Sequence, residues 1–351
     1  MKFGYFTLTD NPPNYGDKRR DAGQFLHEVI AESVHAEDIG LNSVWLPEHH
    51  FGLFGCVGAT STALAYVAAR TKRVLLAPAT VVLPCTHPVA SAEQFCTLDQ
   101  LSGGRAVYSA GRGYDAREYE AFGVPFAESR GMFDEGMLLV RKAMAEEAFT
   151  FEGKYWQICE PITVLPRPIQ RPHPPIYVAA FSRPTVEFAA RNGFNVIFAP
   201  FAAAMMFGSL AEATAEFKRL AAEAGYPDSR AMCSYFFGMA DNAAEELAFK
   251  QRVLFYLQSV TPAFPGDPAT APPHIAYFVD IVRTLLAMKP ESLGERSVVT
   301  GNAERCIAQL KAIEAAGIEE VILYFNVGAY PHADTMRMMD RFATEVAPAF
   351  A

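Results

Sequence analysis

A chain of 351 residues that is half apolar can bury a sizeable core, and it suits one large α/β domain or two smaller ones. Its 30 basic and 39 acidic side chains leave a net charge of -9, which repels phosphate backbones and anionic lipid and argues against nucleic acid or membrane partners. The scattered cysteines (Cys56, Cys85, Cys96, Cys159, Cys233 and Cys306) form no C-x-x-C pair, so neither a zinc site nor a disulfide framework is suggested and a reducing cytoplasm is the expected location.

The opening MKFGYFTLTD alternates apolar residues and meets Asp10 and two prolines too soon for a signal peptide. No apolar run approaches the roughly 20 residues that span a bilayer, so membrane insertion is not expected. Lys2–Thr7 reads as a first short strand. Phe25/Leu26, Val29/Ile30 and Val34 then recur near a 3.6-residue period, which predicts a helix that stops at Gly40. Further strands are predicted at Ser43–Leu46, Val74–Leu83, Ala106–Ala110, Ile176–Ala180, Val196–Phe198, Cys233–Gly238 and Glu320–Phe325, with glycine stops at Gly193, Gly225 and Gly317 between them. About eight repeats of strand, helix and glycine favour an α/β fold with a closed (β/α)8 TIM barrel, one domain over residues 1–351. Two stretches break the repeat and read as insertions after barrel strands. Phe149–Pro175 suggests a hairpin and an extended arm, and Thr261–Ser297, which opens with Pro262, Pro265, Pro268, Pro272 and Pro273, suggests a lid. Plain surface loops are the alternative for both.

In such a barrel the chemistry sits where a strand ends and its loop begins. Glu48, His49 and His50 follow the second strand, and imidazoles beside a carboxylate can act as a base or hydrogen-bond an anion near working pH. A structural His pair on the barrel rim is the competing reading. The other histidines (His27, His35, His87, His173, His274 and His332) show no ligand spacing, which disfavours a metal. After the fourth strand, Gly111-Arg112-Gly113-Tyr114 puts an arginine between glycines. That arrangement suits a phosphate, although it lacks the third glycine and acidic residue of a Rossmann fingerprint. After the fifth strand, Ser182 stands where it can cap a helix that runs through Pro184 and Thr185, and a helix amino terminus with two hydroxyls also attracts phosphate.

These segments also carry a resemblance. MKFGYFTLTDNPP, WLPEHHF, ATVVLPCTHPV, LDQLSGGR and GRGYDAREYEAFG resemble the bacterial luciferase-like flavin monooxygenases, and the opening 200 residues look most like a luciferase α subunit. The likeness weakens through the middle and returns at Gly301–Phe325. It implies a (β/α)8 barrel, reduced FMN supplied by a separate flavin reductase, and molecular oxygen that reacts to a flavin C(4a)-peroxide. A small organic substrate, expected to be apolar or aromatic, would then be oxygenated. By the same resemblance His49 matches a catalytic histidine, with Glu48 and His50 its neighbours. Arg112, Arg130, Ser182 and Thr185 match positions that hold the flavin phosphate, and Ala79-Thr80 matches a non-prolyl cis peptide against the flavin ring. Gly111 and Tyr114 complete the expected cofactor contacts, and no metal is expected. Gly111 stands where luciferase has a reactive cysteine, and Phe181 where it has an acidic residue, so aldehyde specificity and light emission are not carried over. Trp45, Phe51, Phe54, Tyr114, Phe181 and Phe198 are the expected dry wall of the mouth. A homodimer is expected, through the alanine-rich helices at Ala59–Arg70 and Val89–Leu98. The alternatives are a deazaflavin- or FMN-dependent hydride-transfer oxidoreductase on the same barrel, and a non-catalytic flavin-binding accessory subunit.

Overall fold

Strands covered on both faces read as short, nearly continuous apolar runs, and parallel pairing then needs a helix to carry the chain back. The computed structural model describes residues 1–264 and 277–351. Its strands are β1 (Lys2–Phe6), β2 (Ser43–Leu46), β3 (Leu75–Pro78), β4 (Val81–Val82), β5 (Tyr108–Gly111), β6 (Phe149–Glu152), β7 (Gln157–Ile162), β8 (Ile176–Ala180), β9 (Asn195–Phe198), β10 (Ala231–Met239), β11 (Val298–Gly301) and β12 (Glu320–Tyr324). Its helices are α1 (Ala22–Asp38), α2 (Thr60–Arg70), α3 (Pro88–Ser102), α4 (Ala116–Ala121), α5 (Ser129–Ala145), α6 (Arg183–Arg191), α7 (Pro200–Phe207), α8 (Leu210–Glu223), α9 (Ala243–Ser259), α10 (Tyr277–Ala287), α11 (Ala303–Ala315) and α12 (His332–Arg341).

The main sheet runs β3-β2-β1-β12-β10-β9-β8-β5-β4, all parallel. Chain continuity from β3 into β4 and a bridge between Leu76 and Ala106 join the two ends of that order, so the sheet is a (β/α)8 barrel. The first and last barrel strands are neighbours, with Lys2 opposite Glu320 and Phe6 opposite Tyr324.

Alternate residues divide the core in two, as a two-residue side-chain period requires. Phe6, Trp45, Ala77, Tyr177, Ile197, Met232, Ile322 and Tyr324 fill the lumen. Tyr5, Val44, Leu76, Tyr108, Val178, Phe198, Cys233 and Leu323 face the helices. Gly4 belongs to the lumen side, where a Cβ would lie 2.2 Å from Ser43 Oγ and 3.0 Å from Ile322 Cγ2. Trp45 points its indole N–H to Ser43 Oγ at 2.7 Å, and Ser43 in turn donates to the buried Glu320, so this tryptophan plugs the lumen floor.

Several expectations need correction. The predicted strand Val74–Leu83 is two strands, interrupted at Ala79-Thr80. Strand β11 was not anticipated. Phe236 pairs with both Tyr324 and Val298, so β11 lies on the edge of β10 away from β12. The hairpin of β6 and β7 exists, but it follows helix α5 and not a barrel strand. A chain leaving α5 there starts at the amino ends of the strands. It climbs back because Glu135 on α5 accepts the backbone N–H groups of Lys154, Tyr155 and Trp156. The second insertion does follow a strand and is larger than expected, since α9, α10 and β11 all lie between β10 and α11. Pro265, Pro268, Pro272 and Pro273, on which the lid reading leaned, lie outside the described residues.

Arg105, buried just before β5, spends its five N–H donors on the carbonyls of Ser102, Val74, Ala68 and Thr71 and on the Thr71 hydroxyl, at 2.8 to 3.1 Å. It closes the carboxyl end of α2 against the entry to β3.

Candidate active site

The segment after β2 is pinned from three sides. Thr60, the first residue of α2, donates its hydroxyl to the Pro47 carbonyl. His49 donates its backbone N–H to Val57 O at 3.0 Å, and Glu48 Oε1 accepts the Val82 N–H at 3.0 Å. Glu48 Oε1 also stands 3.6 Å from His50 Nε2 and holds that imidazole's pKa above its ordinary 6.5, against the opposing effect of burial. His49 stacks on Phe54 with ring centres 4.7 Å apart, and its Nδ1 is buried without a hydrogen bond. The carboxylate of Glu118, on α4, lies 3.6 Å from that nitrogen and accepts the His50 N–H at 2.8 Å.

The candidate phosphate residues fall together. Arg130 Nη1 donates to Thr185 Oγ1 at 2.9 Å, its Nη2 to the Pro184 carbonyl at 3.1 Å, and its Nε to Asp134 at 2.7 Å. Ser182 occupies the cap position of α6, yet its hydroxyl makes no cap bond and meets Thr185 Oγ1 at 2.9 Å. The charge of Arg112 reaches the same Asp134, whose carboxyl is pushed up by burial and drawn back by the two arginines. The Arg112 carbonyl accepts the Tyr119 hydroxyl. Two guanidinium groups and two hydroxyls gathered at a helix start form a donor set suited to an oxyanion.

Gly111 ends β5, paired with Val82 across from it. Ala79-Thr80, between β3 and β4, is a cis peptide, and the Thr80 hydroxyl fills the space beside Gly111. Tyr114 stacks on Phe264 at 5.0 Å, meets Phe54 edge-on at 5.2 Å and approaches Phe181 at 6.5 Å. These rings wall the mouth. Three aromatics expected there lie elsewhere. Trp45 is in the lumen, and Phe198 faces outward onto Phe217 because strand alternation turns it to the helices. Phe51 sits outside on Phe122, more than half exposed.

Sequence reasoning missed Glu118 and Asp134. D-A-R-E at Asp115–Glu118 reads as a capping box, which would turn the glutamate back to the cap N–H. Asp115 does cap, accepting the Arg117 N–H at 3.0 Å, but Glu118 points inward to the histidines. Asp134 carried one signal, its i,i+4 spacing from Arg130. A buried network at the end of β1 was also missed: Asp10 accepts from the Tyr15 and Tyr324 hydroxyls and from the Gly328 N–H at 2.9 Å. Among the described residues no group of three or more His, Cys, Asp or Glu side chains gathers as a metal site, and no helix is long and apolar enough to cross a membrane.

The chain is similar to known proteins in sequence and in fold. The sequence model of the luciferase-like monooxygenases matches residues 1–320. The alkanal monooxygenase α chain of Photorhabdus luminescens is 33% identical over 197 residues, 56% of this chain and 53% of that one, so the match spans about half the length of that relative. The oxygenase component of flavin-dependent trigonelline monooxygenase from Acinetobacter baylyi is 27% identical over 93% of this chain and 91% of its own. An F420-dependent glucose-6-phosphate dehydrogenase from Kineococcus radiotolerans is 37% identical over 51% of this chain and 54% of its own. Among solved structures, the monooxygenase RslO1 from Streptomyces bottropensis superposes with a TM-score of 0.82 at 28% identity, covering all of both chains. A barrel closed by β1 and β12, a paired-histidine segment after β2 and a family match over nine-tenths of the sequence lead to one conclusion: the chain belongs to the luciferase-like monooxygenase family.

Proposed function

We propose that this protein is the oxygenase of a two-component system that uses reduced FMN and molecular oxygen to oxygenate a small apolar or aromatic substrate. The observation that carries the reading is the oxyanion donor set of Arg130, Thr185 and Ser182, joined by Arg112, at the same barrel mouth as His49. A terminal phosphate matches that set in charge and in donor geometry. When bound, reduced FMN supplies the electrons that activate oxygen.

The protein's own residues have three tasks. Arg130 and Thr185 bind the phosphate, with Asp134 holding the Arg130 fork in place from its other edge. Phe54, Tyr114 and Phe264 exclude water from the mouth, where leakage would waste the activated oxygen. His49, against Phe54 and next to Glu118, moves a proton to or from the bound molecules, while His50 and Glu48 brace the segment against β4. The separate reductase and a homodimer through α2 and α3 belong to the same reading.

The test is an anaerobic titration with photoreduced FMN and with reduced riboflavin, followed by admission of oxygen and measurement of its uptake. The wild type is expected to bind FMN more tightly than riboflavin. Arg130→Ala should lose about ten- to hundredfold in FMN affinity, the worth of one charge-assisted hydrogen bond, with no change for riboflavin. Equal binding of both flavins by the wild type, or an unaffected Arg130→Ala, would sink the reading. Turnover without oxygen uptake would favour hydride transfer on the same barrel, the chemistry named for the Kineococcus relative.

A further inference from the structure

We propose that Glu118 is the positioning residue for His49: its carboxylate faces the imidazole Nδ1 and fixes the tautomer that carries the proton there, leaving Nε2 as the lone-pair nitrogen. Two independent features of the buried pair lead to this. His49 Nδ1 is out of contact with solvent and makes no hydrogen bond, an arrangement that is costly if it persists. Glu118 is itself only 1% exposed, and its Oε1 stands 3.6 Å from that nitrogen. A lone pair on Nδ1 would face a carboxylate across that gap and be repelled by it; an N–H would be attracted.

The carboxylate is held where this interaction needs it. The same Oε1 accepts the His50 backbone N–H at 2.8 Å, and a carboxylate oxygen has a second lone pair for His49. Stacking on Phe54 and the bond from His49 N–H to Val57 O keep the ring beside it. Closing 3.6 Å to hydrogen-bond length takes a shift of less than about 1 Å, and bonds of this kind commonly tighten when a ligand arrives. Glu48 faces the other imidazole: its Oε1 stands 3.6 Å from His50 Nε2 and accepts the Val82 N–H. The two adjacent histidines are therefore assigned to different carboxylates, His50 to one on its own segment and His49 to one delivered by α4.

The consequence, which rests on the proposed function, is directional. With the proton parked on Nδ1, His49 meets a bound molecule as a proton acceptor at Nε2, and Glu118 lies beside the imidazolium that forms.

The tautomer itself is tested without any flavin. Protein labelled with 15N-histidine is examined by two-bond 1H–15N correlation at a pH where the ring is neutral, with His49 assigned by the loss of its signals in His49→Gln. In the wild type the expected pattern is a protonated Nδ1 and an unprotonated Nε2. Glu118→Ala should move the proton to Nε2, as in a free imidazole, and Glu118→Gln, which keeps an acceptor oxygen, should preserve the wild-type pattern. A wild-type ring protonated on Nε2 overturns the proposal, and so does an unchanged pattern in Glu118→Ala. Should Glu118→Ala fail to fold, the wild-type and Glu118→Gln spectra still decide it. Failure here leaves the flavin titrations untouched, and failure there leaves the tautomer standing.

Discussion

Replacing Gly111 with alanine should destabilise the protein through one contact. A Cβ at that position would lie 2.6 Å from Thr80 Oγ1 and 3.7 Å from Ala179 Cβ. The second distance is ordinary packing, and the first is an overlap that threonine, stiff about χ1, relieves poorly. Overpacking of this kind costs about 1–3 kcal/mol. Gly111 lies outside the left-handed region, so alanine adds no backbone strain and recovers about 0.4–1 kcal/mol through the unfolded chain, leaving a net loss near 1–2 kcal/mol. Unfolding entropy of about 2.1 cal/mol/K per residue over 351 residues means that each kcal/mol lowers Tm by roughly 1.4 °C, so a fall of about 1.5–3 °C is expected. Thr80→Ala removes the offending oxygen and leaves a Cβ 3.9 Å away. The double variant should then recover most of the loss, a coupling of about 1–2 kcal/mol in a urea-denaturation cycle. Additive single and double effects, or a Gly111→Ala variant as stable as the wild type, would refute the steric argument.

Arg105→Lys should lose about 2–4 kcal/mol, because an ammonium cannot reach the separate carbonyls that the planar fork serves, and calorimetry reads this directly. A loss below 1 kcal/mol, on the order of a surface change, would show that water replaces the fork. His50, held above its ordinary 6.5 by Glu48, contributes stability that is complete below 6.5 and fades as pH rises through its folded value. The gap in unfolding free energy between wild type and His50→Gln should therefore be wider in mildly acidic than in alkaline buffer. A gap that is constant or grows with pH would contradict the Glu48 pairing.

The barrel was legible because its strands are apolar on both faces and its helices end on glycine, as at Gly40 and Gly317, both with positive φ. The gathering of Arg130, Ser182 and Thr185 could be expected only through the family likeness. Spacing along the chain does not say that residues 130 and 185 meet. Val298–Gly301 escaped notice because four residues after a proline-rich stretch offer no period to read. The structural role of Arg105 was not legible, since burial of a guanidinium depends on carbonyls contributed by α2 and the entry to β3. Glu118 was hidden by its own local logic: the pattern that makes a good cap also supplies a carboxylate for a neighbouring loop, and only the fold decides between them.

The pairing of β1 with β12 has a consequence for biogenesis. Lys2 waits for Glu320, so during synthesis at about 5–20 residues per second the first strand leaves the ribosome roughly 15–60 s before the partner that covers one of its edges. For that interval an apolar edge carrying Phe3 and Tyr5 is open to other nascent chains. Slower translation lengthens the exposure. Yield in cells should thus respond to chaperone supply and growth temperature more steeply than the stability of the finished barrel would suggest.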